Sequence, residues 1–392
     1  MIFIKTLSVY EKLKNTNGYI DYSDNIEFEY RYKYNFISES SKRNYGNILL
    51  KSFIKKYNNE IETLEFPNTN YPLSAYMNSF VNSVRAMVSE NIISKKWVEE
   101  YTKYIILNSS YKNEVQLALA LGEYFLDDSL VNEVGRVFSK SGNYIAYSIG
   151  IIKRMENYNS FLFDIIKNSK GMIKFIAAEN IEEIDMKITK YILTEGFKDE
   201  YYGEFMAGLA INLFNCSAFL MREDITEEEV NRFCCLFEEY FRNSGPLTFN
   251  GEIDFLDKLL YNVEKFGSSI EALYCIFAIR EIVLQDDTIK IKEEDFTRDI
   301  NAVASQSRFR KVLKKELEKA EFDFSDLTFM AEETSVEIPF KTVKKYLDKD
   351  INNKQTYSIV MESKSMSNKI ETIKYFEKNF DFSDITGNME GN

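Results

Sequence analysis

The feature that most constrains this chain is a spacing. Four apolar helical stretches each carry a small residue in their interior: LALALGEYF at 117–125, AYSIGII at 146–152, IKFIAAE at 173–179 and FMAGLAINLF at 205–214. The small residues are Gly122, Gly150, Ala178 and Gly208, at spacings of 28, 28 and 30. Glycine inside a helix costs roughly 1 kcal/mol against alanine, so its recurrence needs a reason. A neighbouring helix that must approach closely supplies one, and these four positions are expected to be helix contacts. A second repeat sits near the C-terminus, where FDFSDL at 322–327 returns as FDFSDI at 380–385, 58 residues later. A degenerate copy near Ile351 halves that distance. Both regions therefore share a period of roughly 29 residues, which is the signature of a repeat architecture.

Each period holds two helical patterns. LALALGEYF is followed by DDSLVNEVGRVFSKSG, AYSIGII by YNSFLFDIIKNSKG and IKFIAAE by IEEIDMKITKYILTEG, each running to a glycine (Gly142, Gly171, Gly196). Thr226 with Glu229 and Ser268 with Glu271 fit capping boxes, and Pro339 suits a first helical turn. Apolar residues spread around these helices rather than along one stripe, as expected of helices with neighbours on several sides. The N-terminal 70 residues read differently. IEFEYRYKYNF at 26–36 alternates strictly between apolar and polar, a period-two strand signal, and MIFIKTL could pair with it as a hairpin. The alternative is a helix whose aromatics happen to alternate. The expected organisation is an N-terminal cap over 1–70, with short strands, and a helical-repeat array over 71–392.

Composition removes chemistry. The chain has no histidine, which excludes Ser-His-Asp and Cys-His nucleophile systems and His-ligated metals. The four cysteines, Cys216, Cys234, Cys235 and Cys275, form no CxxC pair and read as buried thiols in a reducing compartment. Neither GxxxxGK[ST] nor GxGxxG occurs. No catalytic residue, metal ligand or cofactor is assigned. The apolar run before Lys5 is too short for a signal peptide, and no 18-residue apolar stretch occurs, so the expected location is the cytoplasm, without membrane contact. Abundant Lys, Asn, Ile, Tyr and Phe with only 4 prolines suit an AT-rich bacterial coding sequence.

A tandem helix pair of about 29 residues with small residues at helix contacts resembles the HEAT-like and armadillo-like repeat proteins. The resemblance covers roughly 72–392 and concerns architecture, with no specific family signature. It implies an all-α superhelix, a solenoid of helix pairs, and a surface that holds another macromolecule rather than a reaction. The expected function is a non-catalytic helical-repeat scaffold binding a protein partner.

One surface stretch stands out. RFRKVLKKELEK at 308–319 carries six basic and two acidic residues, and helical spacing places Arg308, Lys311, Lys315 and Lys319 on one face. This is the candidate partner-binding patch, for an acidic peptide or a phosphate, with a solvated face as the plain alternative. The second reading is a nucleic-acid-associated repeat protein using the same patch. The overall charge of −13 disfavours it, because an acidic molecule repels a phosphate backbone at long range. The acidic clusters Glu227–Glu229, 293–295 and Glu332 with Glu333 read as carboxylates complementing helix starts.

Overall fold

The computed structural model describes residues 7–20, 37–182, 184–244, 253–285, 293–349 and 354–379. Among these the secondary structure is helical, with one isolated bridge between Ile20 and Ser141 and no strand. The alternating stretch at 26–36 and residues 1–6 of its expected hairpin partner lie outside the described residues. Two compact units emerge: one formed by Met1–Ile188 with Lys198–Leu209, the other by Thr189–Phe197 with Ala210–Asn392.

In the first unit the helices are α1 (Val9–Lys14), α2 (Glu39–Tyr57), α3 (Ser74–Ser89), α4 (Lys95–Asn108), α5 (Lys112–Phe125), α6 (Asp128–Phe138), α7 (Ile145–Ile152), α8 (Tyr158–Asn168) and α9 (Gly171–Glu179). Chain neighbours pack as pairs, α4 with α5 across the short turn at 109–111 and α2 with α3 across the longer connection at 58–73. A second relation runs two helices along: α3 packs on α5, α5 on α7 and α7 on α9. This is why α5 and α9 are buried all round and mostly apolar, with Gln116 and Lys174 as the polar exceptions. Every residue of α5 from Val115 to Gly122, and of α9 from Gly171 to Ala178, is buried. A helix with one solvated side needs only a stripe, whereas one covered by both kinds of neighbour needs a continuous run.

Two of the four predicted small-residue contacts face each other across α5 and α7. A Cβ on Gly122 would stand 2.7 Å from Ile151 Cδ1, and one on Gly150 would stand 2.5 Å from Glu123 Cγ. The residue after each glycine therefore fills the space left by the other. Ala178 is fully buried in α9. Gly208 departs from the pattern, because a Cβ there would meet nothing within 4 Å among the described residues. Polar links also join successive helices of this unit. Gln116 Nε2 donates to Asn143 O at 2.9 Å, 27 residues on. Arg154 donates to Gly122 O at 2.8 Å and, 28 residues back, to Leu126 O at 2.7 Å. Both carbonyls lie at the end of α5: Leu126 O stands past its last turn, and Gly122 O also accepts from Leu126 N at 3.2 Å.

The chain then continues through α10 (Met186–Tyr191), a π turn (Ile192–Gly196) and α11 (Gly203–Leu213). In the second unit follow α12 (Cys216–Leu220), α13 (Glu227–Ser244), α14 (Ile253–Phe266), α15 (Ile270–Gln285), α16 (Glu293–Ala304), α17 (Ser307–Lys319), α18 (Phe324–Glu333), α19 (Phe340–Lys349), α20 (Lys354–Glu362) and α21 (Met366–Asn379). Here α13, α15, α17, α19 and α21 pack successively, again two helices apart. The polar links widen to 42 residues between Asn262 and Leu220 O and 37 between Ser268 and Asn231. They contract to 29 between Lys349 and Ala320 O and 30 between Asn368 and Ile338 O. The longer interval belongs to longer helices: α13 has 18 residues and α15 has 16, against 8 in α7.

Local signals resolve individually. The Thr226–Glu229 capping box forms, with Glu229 N donating to Thr226 Oγ1 and Thr226 N to Glu229 Oε2. At α15 the cap is Ser269, which accepts from Ala272 N at 3.1 Å, one residue later than the expected Ser268 box. Ser268 is engaged by α13, donating its N–H to Asn231 Oδ1 at 2.9 Å. Glu227–Glu229 opens α13 as expected, but Glu332 and Glu333 close α18 rather than starting a helix. Glu333 there pairs with Arg280 at 2.7 Å. All four cysteines are free thiols, three of them buried. No helix among the described residues is long and apolar enough to cross a membrane.

Candidate functional site

The predicted basic patch lies on α17, and its four members do different things. Arg308 turns inward and donates through Nη2 to Val263 O at 3.1 Å and to Glu264 O, closing the last turn of α14. Burial pulls its pKa down, opposed by the carboxylates of Glu264 and Glu227. Lys319 pairs at 3.0 Å with Glu316, a carboxylate only 9% exposed, and its pKa is raised by that hydrogen bond. Lys311 and Lys315 are exposed. The face is thus split between two structural cations and two solvated ones.

A more concave site lies in the first unit, on α4. Its sequence KKWVEEYTKYIILN buries Val98, Tyr101, Thr102, Ile105 and Ile106. Trp97, Tyr101, Tyr104 and Asn108 follow at helical spacing, so they line one flank of that buried stripe. The last turns of α2 hold the tryptophan in place. Phe53 is fully buried and meets Trp97 and Tyr101 edge-on, at 5.5 and 5.3 Å between centroids. Tyr57 meets Trp97 edge-on at 5.0 Å, and Trp97 stacks on Tyr101 at 5.2 Å with planes 12° apart. These are favoured aromatic geometries, and four rings fixed against one another make a rigid wall.

That wall bounds a cavity of about 540 Å³, closed by the turn at 62–64 and by Ser109, Tyr111 and Glu114 at the entry to α5. The turn is tied back by Glu65 N, which donates to Ser52 Oγ at 2.7 Å, and by Lys56 Nζ, which donates to Glu62 O. Ser109 Oγ donates to Glu114 at 3.0 Å and accepts from Tyr111 N at 3.1 Å. Burial, reinforced by the nearby Glu114 charge, pushes the Tyr101 hydroxyl far above its ordinary value, so it stays a neutral donor. Tyr104 and Tyr111 stand at the rim, 63% and 67% exposed.

A second, more polar groove of about 830 Å³ runs along α2 and α3, where Lys42, Arg43, Asn47, Asn78 and Asn82 are among its walls. Lys42 is held by Glu39 at 2.7 Å. In the second unit a group of partly buried charges centres on Arg242. It pairs with Glu238 at 2.7 Å and with Asp326, and its guanidinium lies 4.8 Å from the ring centroids of both Tyr274 and Phe322. Burial pushes Glu238 up to about 7, with Glu271 and Asp326 adding to the shift and Arg242 opposing it. Asp326 is raised by burial as well. This network ties α13, α15 and α18 together. No cluster of three or more potential metal ligands occurs among the described residues.

Composition and periodicity did not single out the α4 cavity. The usable signal was the series Trp97, Tyr101, Tyr104 and Asn108, in which aromatic bodies with polar edges flank an aliphatic stripe. No family model, curated protein or solved structure matches the chain.

Proposed function

We propose that this chain is a non-catalytic helical-repeat scaffold, a superhelix of helix pairs in the manner of the HEAT-like and armadillo-like architecture, that binds a protein partner. The observation that carries the reading is the packing two helices along, with Gly122 and Gly150 each accommodating a side chain from the other's helix. That arrangement repeats one interface along the chain and leaves successive helices with outward faces for contact. The rim tyrosines Tyr104 and Tyr111 are residues of the kind enriched where proteins meet. The absence of histidine removes the commonest acid–base and metal designs, which agrees with a holding role.

The test is affinity capture from the native host followed by reconstitution of the captured protein with the purified full chain. The expected result is a stoichiometric complex that survives size-exclusion chromatography. Failure to reconstitute any such complex, or turnover of a substrate by the purified chain, would overturn the reading.

A further inference from the structure

We infer that the α4 cavity is a docking pocket for an arginine side chain presented by that protein partner; the inference rests on the scaffold reading and names the chemistry of its contact. Aromatic faces attract a cation electrostatically when it stands within about 6 Å of the ring centroid. Trp97, Tyr101, Tyr104 and Tyr111 line the cavity, and the rings of Tyr104 and Tyr111 are the exposed ones. Three glutamates are among the residues that line the same space, Glu62, Glu100 and Glu114. The single ammonium among the lining residues, Lys56, already donates to the Glu62 carbonyl. Among the described residues Glu100 has the exposed Lys96 opposite it, at 3.9 Å, and such a surface pair gives way at small cost.

The shape favours arginine over lysine. A guanidinium is planar, stacks on aromatic rings and forks onto a carboxylate, whereas an ammonium is a compact and strongly hydrated point charge. At about 540 Å³ the cavity is larger than one such group needs, so the flanking backbone of the partner also enters it. The exposed rings of Tyr104 and Tyr111 lie where that backbone would pass. The molecule's charge of −13 adds a general attraction for a basic partner.

The chain contains a single tryptophan, Trp97, so its emission reads this pocket directly. The full chain would be titrated with hexapeptides that differ only at one central residue: arginine, its neutral isostere citrulline, lysine or glutamate. The expected result is a saturable change in Trp97 emission with the arginine peptide, at least tenfold weaker with citrulline, weaker with lysine and absent with glutamate. Glu100→Gln and Glu114→Gln should each weaken the arginine peptide several-fold while leaving the circular dichroism unchanged. Equal binding of arginine and citrulline peptides, no change in emission up to millimolar peptide, or free arginine amide binding as tightly as the peptide would overturn the proposal. The two readings fail separately. A reconstituted partner whose affinity ignores Glu100→Gln and Glu114→Gln refutes the pocket and keeps the scaffold. Arginine-peptide binding without any reconstitutable partner does the reverse.

Discussion

At the residue scale, two glycines with the same sequence signature should respond differently to the same mutation. Gly122 faces Ile151, which is fully buried and can move only against packed neighbours. Gly150 faces Glu123, an exposed side chain that can swing into solvent. Gly122→Ala therefore overpacks the α5–α7 contact, and the roughly 1 kcal/mol gain in helix propensity does not offset an overpacking cost of about 1–3 kcal/mol. Gly150→Ala keeps most of the propensity gain. Urea melts should place the Gly122 variant below the parent and the Gly150 variant at or above it. Glu238 makes a different case, governed by pH. Its folded carboxyl titrates at about 7 rather than the ordinary 4.5, mainly through burial. Between those values the folded state holds a proton that the unfolded chain has released, so this group's contribution to stability is complete below about 4.5 and is lost as pH rises to 7. Arg242, Glu271, Asp326 and Tyr274 face it, and the raised Asp326 acts in the same direction. Glu238→Gln should flatten the pH dependence, with a gain on the order of 1–3 kcal/mol at pH 8 relative to pH 5. Equal slopes for parent and variant would show that the carboxylate is ionised throughout.

At the scale of elements, helix ends explain what a charge pattern cannot. Arg308 and Lys315 look equivalent on a helical wheel, yet one closes α14 and the other points to water. Arg308→Ala removes a donor from the carbonyl of Glu264 and from that of Val263, which keeps Gly267 N at 2.8 Å, and should cost about 1 kcal/mol of stability. Charge reversal at Lys311 and Lys315 should stay within about 0.5 kcal/mol of the parent. Thermal melts of the two variants side by side check this, and equal losses would refute the division of the patch. The contrast marks how far the sequence could be read. The all-helical class and the Thr226 cap follow from local pattern and are legible in the sequence. The inward turn of Arg308 depends on a helix 44 residues away, and the shift of the α15 cap to Ser269 depends on Asn231 in α13. The cavity on α4 was hidden for a related reason: Phe53 and Tyr57 fix Trp97 from a different helix, while composition counts all of them simply as aromatic.

At the scale of the molecule, the chain does not change unit at a single point. Thr189–Phe197 belongs with the second unit, whereas Lys198–Leu209 returns to the first. The returning stretch serves α9. Lys174, only 6% exposed, donates its ammonium to Lys198 O at 2.6 Å, and Gly171 N donates to Asp199 Oδ2 at 2.7 Å. Burial lowers the Lys174 pKa, and Asp199 partly restores it. A fragment ending at residue 188 would therefore lose both acceptors while α9 still buries the ammonium and the first amide of its helix. A fragment ending at residue 209 keeps them. Uncompensated burial of a charge costs about 3–5 kcal/mol, a large share of the stability of a unit this size. Both fragments retain Trp97, so urea melts followed by its emission compare them on one signal. The 1–188 fragment should melt at clearly lower urea or fail to fold, and raising the pH toward 10 should narrow the gap as Lys174 loses its proton. Coincident melting curves would mean that 198–209 adds nothing to the first unit and that its boundary belongs at residue 188.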